Sequence, residues 1–449
     1  MEKQIILLFL AFMSLMNGNY FGQTSKVTVQ KINDQWELLV DGKPFYIKGA
    51  GGETHLDKVV ESGANTIRTW GLENAQEVLD AAQAKGLKVM LGMWVQHERH
   101  GFDYNDEEKI KNQLNNFRVA VEKYKNHPAL LLWGVGNEYE LDYSNTKVWS
   151  AVNDIAKMVK ELDPNHPTST VTAGTSPSKV KFINETMTAI DIYGINTYGD
   201  IENVKKVLKD GNFNGPYMIT EWGPNGHWES PKTRWGSSIE QTSTEKALTY
   251  KTRYQDYIWG ERKQCIGSFA FLWGQKQEYT STWYGVFDEE GRPTEAIDAL
   301  EYDWSGKYPV NRSPSIDSVL VEGVRNYPRN LILTSGQSML CQVFSIDLNK
   351  DKLSYTWELY PESTDLKTGG DREDKPTAIS GKLKNRNQAT VKVKAPNTEG
   401  RYRLFVTVSD GEKIAYMNIP FYVQENLDAD GNSKKIIFTP QDLKSFEEK

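Results

Sequence analysis

The chain of 449 residues has little cysteine, no excess of basic charge and few long apolar runs. Its two cysteines, Cys265 and Cys341, fall in what we interpret as different domains, so we expect buried free thiols rather than a disulfide. The formal net charge is -7, from 60 acidic and 53 basic residues. This balance excludes an extended basic surface for nucleic acid or anionic lipid, and a neutral partner is expected.

A long apolar run is present at the N-terminus, from Ile5 to Met16, and it is followed by small and polar residues. The run is too short to cross a bilayer, which takes about 20 residues. We therefore interpret residues 1–22 as a signal peptide, with a membrane anchor as the alternative. The mature protein is expected to be secreted, periplasmic or associated with the cell surface, without membrane insertion.

Residues 26–308 alternate short apolar segments with longer amphipathic ones, which predicts an α/β fold with a parallel sheet. Eight such segments predict a (β/α)8 TIM barrel. A doubly wound sheet is the alternative, but it usually has fewer strands and often a glycine-rich phosphate turn, which this sequence lacks. The predicted strands are 45–49, 65–70, 88–94, 130–138, 169–174, 190–198, 217–222 and 268–273.

The composition changes after residue 308, where β-rich segments separated by turns begin. Residues 313–424 are predicted to form a smaller immunoglobulin-like β-sandwich, with Trp357 in its core, and residues 426–449 a polar C-terminal tail. Asp347 to Asp351 resembles the start of a calcium loop. Lys352 occupies the position that needs glycine, so we favour a plain turn there.

Two glutamates, Glu138 and Glu221, each stand at the end of an apolar, strand-like segment. In a TIM barrel these ends lie at the face where active sites are built. A carboxylate is costly to desolvate, and two of them at one mouth supply the acid and the nucleophile of glycoside cleavage. The alternative interpretation is a pair of structural salt bridges.

Further polar and aromatic residues occur at other predicted strand ends, which makes them candidates for the same site. The segment from His97 to His100 lacks the helical i, i+4 spacing of zinc-binding histidines, and we expect no metal and no cofactor.

The aromatic candidates could bind a substrate, because aromatic rings stack on the faces of sugars. The candidates are Arg68, Trp94, His97, Asn137, Tyr198, Trp222 and Trp273, with His227, Trp228, Trp235 and Trp283 as additional aromatic or imidazole side chains in loops.

The barrel resembles the clan A glycoside hydrolases in its Asn137-Glu138 pair and in the segment Thr220-Glu221-Trp222-Gly223. A barrel followed by one immunoglobulin-like domain is most similar to the endo-β-1,3-glucanases of glycoside hydrolase family 158, which act on laminarin-type β-glucans. The β-galactosidase and β-glucuronidase relatives come second, because they usually carry sandwich domains before the barrel and none fits between Gln23 and Phe45.

The resemblance implies a retaining mechanism, with Glu138 as acid/base and Glu221 as nucleophile. Arg68 and Tyr198 are expected to donate hydrogen bonds to Glu221, and Asn137 is expected to hold the sugar 2-hydroxyl. The two carboxyl groups are expected to lie about 5 to 5.5 Å apart.

The other expectations from the resemblance concern the substrate. Trp273 is expected to form the floor under the sugar, and Trp94, His97 and Trp222 to contact it. Endo action is expected, because no inserted domain or long loop obviously closes one end of the groove. A monomer is also expected. The alternatives are another clan A enzyme, either β-mannanase or β-galactosidase-like, and a non-catalytic glycan-binding protein.

Overall fold

The structure, a computed structural model, describes residues 24–325 and 330–424. The predicted signal peptide and the predicted C-terminal tail lie outside the described residues. Among the helices that the structure describes, none has the length and apolarity needed to cross a bilayer.

A small antiparallel sheet, which the sequence analysis did not predict, precedes the barrel. It consists of β1 (Val27–Ile32), β2 (Gln35–Val40) and β3 (Lys43–Pro44). The turn between β1 and β2 places Asn33 and Asp34 at positive φ, the backbone of a tight hairpin. Side chains of this sheet pack with residues at the N-terminal ends of barrel strands, so the sheet covers the end of the barrel opposite the glutamates.

Within the described residues, eight parallel strands close a barrel in which the last strand pairs with the first. This confirms the predicted TIM barrel, and each predicted strand overlaps an observed one. The barrel strands are β4 (Ile47–Gly51), β5 (Thr66–Arg68), β6 (Lys88–Met93), β7 (Leu130–Asn137), β8 (Thr168–Ala173), β9 (Ile192–Asn196), β10 (Tyr217–Trp222) and β11 (Cys265–Ala270).

Helices lie between the strands and bury their apolar faces against the barrel. Local signals set several helix starts: Asp106 accepts a hydrogen bond from Lys109 N, and Thr242 and Glu245 form a capping box. The helices are α1 (Leu56–Glu61), α2 (Ala75–Ala84), α3 (Glu107–Tyr124), α4 (Lys147–Leu162), α5 (Pro177–Glu185), α6 (Val204–Asp210), α7 (Ser243–Arg253) and α8 (Glu295–Ser305).

In the part of the chain that the structure describes, two β-sheets follow the barrel and share one hydrophobic core, in which Trp357 is fully buried as predicted. The immunoglobulin-like relationship stays a prediction. The strands are β12 (Ser315–Val321), β13 (Val324–Arg325), β14 (Leu331–Thr334), β15 (Ser338–Ile346), β16 (Ser354–Pro361), β17 (Leu383–Lys384), β18 (Thr390–Lys394), β19 (Gly400–Ser409) and β20 (Ile414–Gln424). One sheet has the order β13-β12-β15-β18-β17 and the other β14-β20-β19-β16.

Buried polar contacts join the two-sheet region to the barrel. Lys246 of α7 donates to Glu240 at 2.6 Å and to the hydroxyl of Tyr416 at 3.2 Å. Lys413 donates to the buried carboxylate of Asp298 at 2.7 Å. These contacts fix the second region against the barrel, and the connection from β16 to β17 reaches the barrel mouth.

Candidate active site

Each candidate glutamate follows an irregularity in strand pairing. The register of β7 against β8 shifts between Gly134 and Asn137, and that of β10 against β9 shifts between Ile219 and Glu221. Glu138 adopts a positive φ of 48°. Bulges at barrel rims redirect side chains, and these two turn both carboxyl groups toward the same mouth, where both line one pocket.

The carboxylate of Glu221 accepts three hydrogen bonds. Oε1 accepts from Arg68 Nη1 at 3.1 Å and from Trp70 Nε1 at 2.7 Å, while Oε2 accepts from the Tyr198 hydroxyl at 3.0 Å. Burial and the charge of Glu221 hold the pKa of Tyr198 well above its usual value, so its phenol stays a donor. Three donors around one carboxylate fix its orientation.

Arg68 connects the two glutamates through side-chain amides. Its Nη2 donates to Asn137 Oδ1 at 2.6 Å, and Asn196 Nδ2 donates both to Asn137 Oδ1 at 3.1 Å and to Glu138 Oε1 at 2.8 Å. Arg68 itself is 1% exposed. Its buried charge thus interacts with Glu221 and with the side-chain amide of Asn137, the residue before Glu138.

Glu138 has different surroundings. Burial and the negative charge of Glu221 raise the pKa of Glu138 to about 8, while the bond from Asn196 and the charge of Arg68 act in the opposite direction. A carboxyl group that stays protonated near neutral pH beside an ionised one is the arrangement of an acid and nucleophile pair. The site can therefore supply a proton and an anionic nucleophile within one cavity.

The pocket at the mouth has a volume of about 770 Å³, within the range of small-molecule sites. Trp70, Trp94, Tyr198 and Phe271 supply aromatic surface, and Trp228 stands at the rim with 55% of its surface exposed. The acidic and basic residues in the lining are Glu138, Asp200, Glu221, Glu229, Lys276, Glu278, Lys367 and Asp371.

The structure brings together most of the predicted site. Arg68 and Tyr198 contact Glu221, Asn137 and Trp94 line the pocket, and so do His227 and Trp228. The remaining predicted residues are placed elsewhere, for reasons that the strand geometry explains.

Trp222 and Trp273 do not line this pocket, which corrects the prediction that they contact the sugar. Trp222 is fully buried against Tyr250 and Tyr254, because neighbouring residues of a strand face opposite sides and Glu221 faces the mouth. Trp273 lies three residues after the end of β11 and packs against other aromatic rings beside a separate cavity of about 650 Å³.

His97 is fully buried and lies behind the pocket instead of lining it. Its ring stacks on Trp94 with centroids 4.7 Å apart, and Nδ1 accepts a hydrogen bond from Arg99 Nε at 3.1 Å. The prediction of direct substrate contact is therefore wrong, and His97 supports Trp94. Of the additional aromatic residues, Trp283 is buried and Trp235 packs on Tyr422 of the second region.

Sequence reasoning missed several residues of the site. Asn196 lies two residues before Tyr198, so the two-residue period of a strand could have identified it. Residues 367–371 also line the pocket, although they come from the second region. No local sequence signal predicts that contact.

Comparison with known proteins supports a different family from the one expected. Residues 31–235 match the family described as glycosyl hydrolases family 2, TIM barrel domain. The chain is 24% identical over 317 residues to a β-glucuronidase of Paenibacillus borealis, covering 61% of this chain and 51% of the relative. It is 23% identical over 325 residues to a β-galactosidase of Bacteroides ovatus, covering 58% of this chain and 37% of the relative.

Among solved structures, β-glucuronidase 2 of Bacteroides uniformis superposes with a TM-score of 0.50 at 15% identity, covering 90% of this chain and 49% of the other. The chain thus spans about half the length, or less, of these relatives. The comparisons do not support the expected similarity to family 158. The family that they support for residues 31–235 is glycosyl hydrolases family 2, whose TIM-barrel domain these residues resemble.

Proposed function

We propose that this protein is a retaining β-glycosidase in which Glu221 is the nucleophile and Glu138 the acid/base. The observation that carries this proposal is that two carboxyl groups in one pocket have different surroundings. Glu221 is held by three donors, and Glu138 has a pKa of about 8. The β-glucuronidase and β-galactosidase relatives support glycoside hydrolysis as the reaction.

In the first step Glu221 attacks the anomeric carbon while Glu138 protonates the leaving oxygen. The resulting ester removes the negative charge of Glu221, one of the causes of the raised pKa of Glu138. Glu138 then becomes a stronger acid and its carboxylate can take a proton from the water that releases the sugar. One pair of groups thus serves both steps.

Asn137 is proposed to bind the 2-hydroxyl of the sugar. Its Oδ1 already accepts from Arg68 and Asn196, so its amide nitrogen is the group available to donate. Hydrogen bonds to the 2-hydroxyl strengthen in the transition state. This is how Arg68, although it is buried, orients a group that meets the substrate.

The substrate class follows from the charge of the pocket. Lys276 is paired with Glu278 at 2.7 Å and Lys367 with Asp365 at 2.6 Å, so both lining ammonium groups already have anionic partners. The remaining lining includes several carboxylates. Such surroundings repel an anionic sugar. We therefore propose a neutral β-glycoside, with a β-galactoside preferred to a β-glucuronide, in place of the β-1,3-glucan expected from the sequence.

The test is a panel of nitrophenyl β-galactoside, β-glucoside, β-mannoside and β-glucuronide, with laminarin beside them and the product anomer followed by NMR. The expected result is cleavage of a neutral β-glycoside with release of the β-anomer. Release of the α-anomer would contradict the retaining mechanism. A clear preference for the glucuronide would contradict the assigned substrate class.

We also propose that the chain is exported, because the run from Ile5 to Met16 has the length and composition of a signal sequence. Intact mass measurement of protein expressed in a bacterial host with a secretory pathway tests this. Loss of residues near the predicted boundary at position 22 is expected. Retention of the complete N-terminus on exported protein would contradict cleavage.

A further inference from the structure

The connection between β16 and β17 in the second region brings residues 367–371 into the lining of the pocket. We call these five residues the wall. They lie more than 140 residues after Glu221 in the sequence, so the pocket is completed by a part of the chain outside the barrel.

Hydrogen bonds hold the wall to loops from different barrel strands. Arg99, after β6, donates to Asp371 Oδ2 at 2.8 Å and to the carbonyl of Thr368 at 2.9 Å. Lys276, after β11, donates to the carbonyl of Gly370 at 2.9 Å. These anchors come from two separate loops, so the position of the wall is fixed relative to both.

The wall also packs directly on the loop that follows Glu138. A Cβ atom on Gly369 would lie 2.8 Å from Leu141 Cδ2 and 2.9 Å from Arg99 Nη2, and Gly369 has a φ of 64°. Glycine suits this backbone conformation, in which other residues are strained. The amide of Leu141 donates to the carbonyl of Glu138 at 3.0 Å, so the wall rests on the turn that carries the acid/base.

We propose that the wall forms the subsite for the leaving group, an inference that rests on the proposed function. The leaving oxygen must lie within hydrogen-bond reach of Glu138 in order to be protonated. A group attached to that oxygen extends over the adjoining loop, and the wall lies on this loop. Lys367 and the peptide groups of Gly369 and Gly370 offer polar contacts that suit the hydroxyl groups of a second sugar.

The experiment uses the full chain and two substrates that share the preferred sugar, a nitrophenyl glycoside and a disaccharide. Lys367→Ala removes a side chain whose ion pair, with Asp365, lies in the same connection, so the anchors of the wall remain. We expect kcat/KM for the disaccharide to fall roughly threefold to tenfold, the loss of a hydrogen bond or two, with little change for the nitrophenyl glycoside. Gly369→Ala, which displaces the wall, is expected to lower the ratio of kcat/KM for the disaccharide to kcat/KM for the nitrophenyl glycoside as well.

Lys375→Ala is the matched control, since Lys375 in the same connection pairs with Glu289 of the barrel at 2.6 Å but does not line the pocket. It is expected to leave the ratio unchanged, and melting temperatures verify that each variant is folded. Equal effects on both substrates, or none, with an active parent would overturn the leaving-group subsite alone. Inactivity of the parent on every glycoside of the panel would instead contradict the proposed function.

Discussion

The two glutamates differ in chemistry because their neighbours differ. Glu221 receives donors from Arg68, Trp70 and Tyr198, whereas Glu138 receives a single amide from Asn196 and lies in the field of the other carboxylate. The arrangement makes proton donation and nucleophilic attack possible at the same pH. It also allows two predictions about the titration of Glu138.

The first concerns the dependence of activity on pH. Glu138 has to be protonated to act as the acid, and its pKa is raised to about 8. The alkaline limb of kcat/KM is therefore expected near pH 8, with activity falling as the pH rises through that value. A pH profile of kcat/KM, measured with a substrate that has a poor leaving group, checks this. An alkaline limb near pH 5 would show that another group is the acid.

The second concerns stability. Glu138 has a usual pKa of 4.5 and a folded-state pKa of about 8, so the wild-type protein loses stability between these values relative to a neutral side chain. The melting temperature of Glu138→Gln should exceed that of the wild type by an amount that grows from pH 5 to pH 8 and then levels off. A difference in melting temperature that stays constant across this pH range would contradict the raised pKa.

The strands of the barrel could be predicted closely because period and length define them. The strand before Glu138 is buried over its whole length and apolar up to Val135, as a strand buried on both faces should be, and the strand that contains Glu221 is buried over its whole length as well. The exact strand ends could not be predicted. That error assigned Trp273 to the site, since β11 ends at Ala270 and the chain turns before the tryptophan.

The short strand β5 and the residues that follow it position two side chains that hold Glu221. Arg68 at its end and Trp70 two residues later both point to the mouth and both donate to Glu221. Trp70→Phe keeps the ring shape but removes one donor, and we expect kcat/KM to fall about tenfold. Trp259→Phe is the control, because Trp259 packs on Tyr46 at the other end of the barrel. Unchanged kinetics in Trp70→Phe would contradict its role.

The contacts between the barrel and the two-sheet region could not be predicted from the sequence. Composition marked the start of the β-rich region, but the residues that join it to the barrel are distant in sequence and have no common motif. Lys413 and Asp298 are one example, with side chains 9% and 0% exposed. Such contacts depend on the packed structure, as does the placement of residues 367–371 at the mouth.

Lys413→Ala is predicted to destabilise the protein, because it leaves the buried carboxylate of Asp298 with one partner fewer. The loss in unfolding free energy is expected to be roughly 3 kcal/mol. Lys157→Ala, which removes an exposed pair with Asp154, is the control and should change it by less than about 1 kcal/mol. Denaturant unfolding measures both. Equal stabilities of the two variants would contradict a structural role for the buried contact.

The most direct test of the account is covalent trapping of the sugar on the nucleophile. The enzyme is incubated with a 2-deoxy-2-fluoro β-glycoside of its preferred sugar, which slows release of the glycosyl-enzyme, and the digested protein is mapped by mass spectrometry. The account predicts one sugar on Glu221, at the end of β10 (Tyr217–Trp222). A sugar on Glu138, or none on an enzyme that cleaves the parent glycoside, would contradict it.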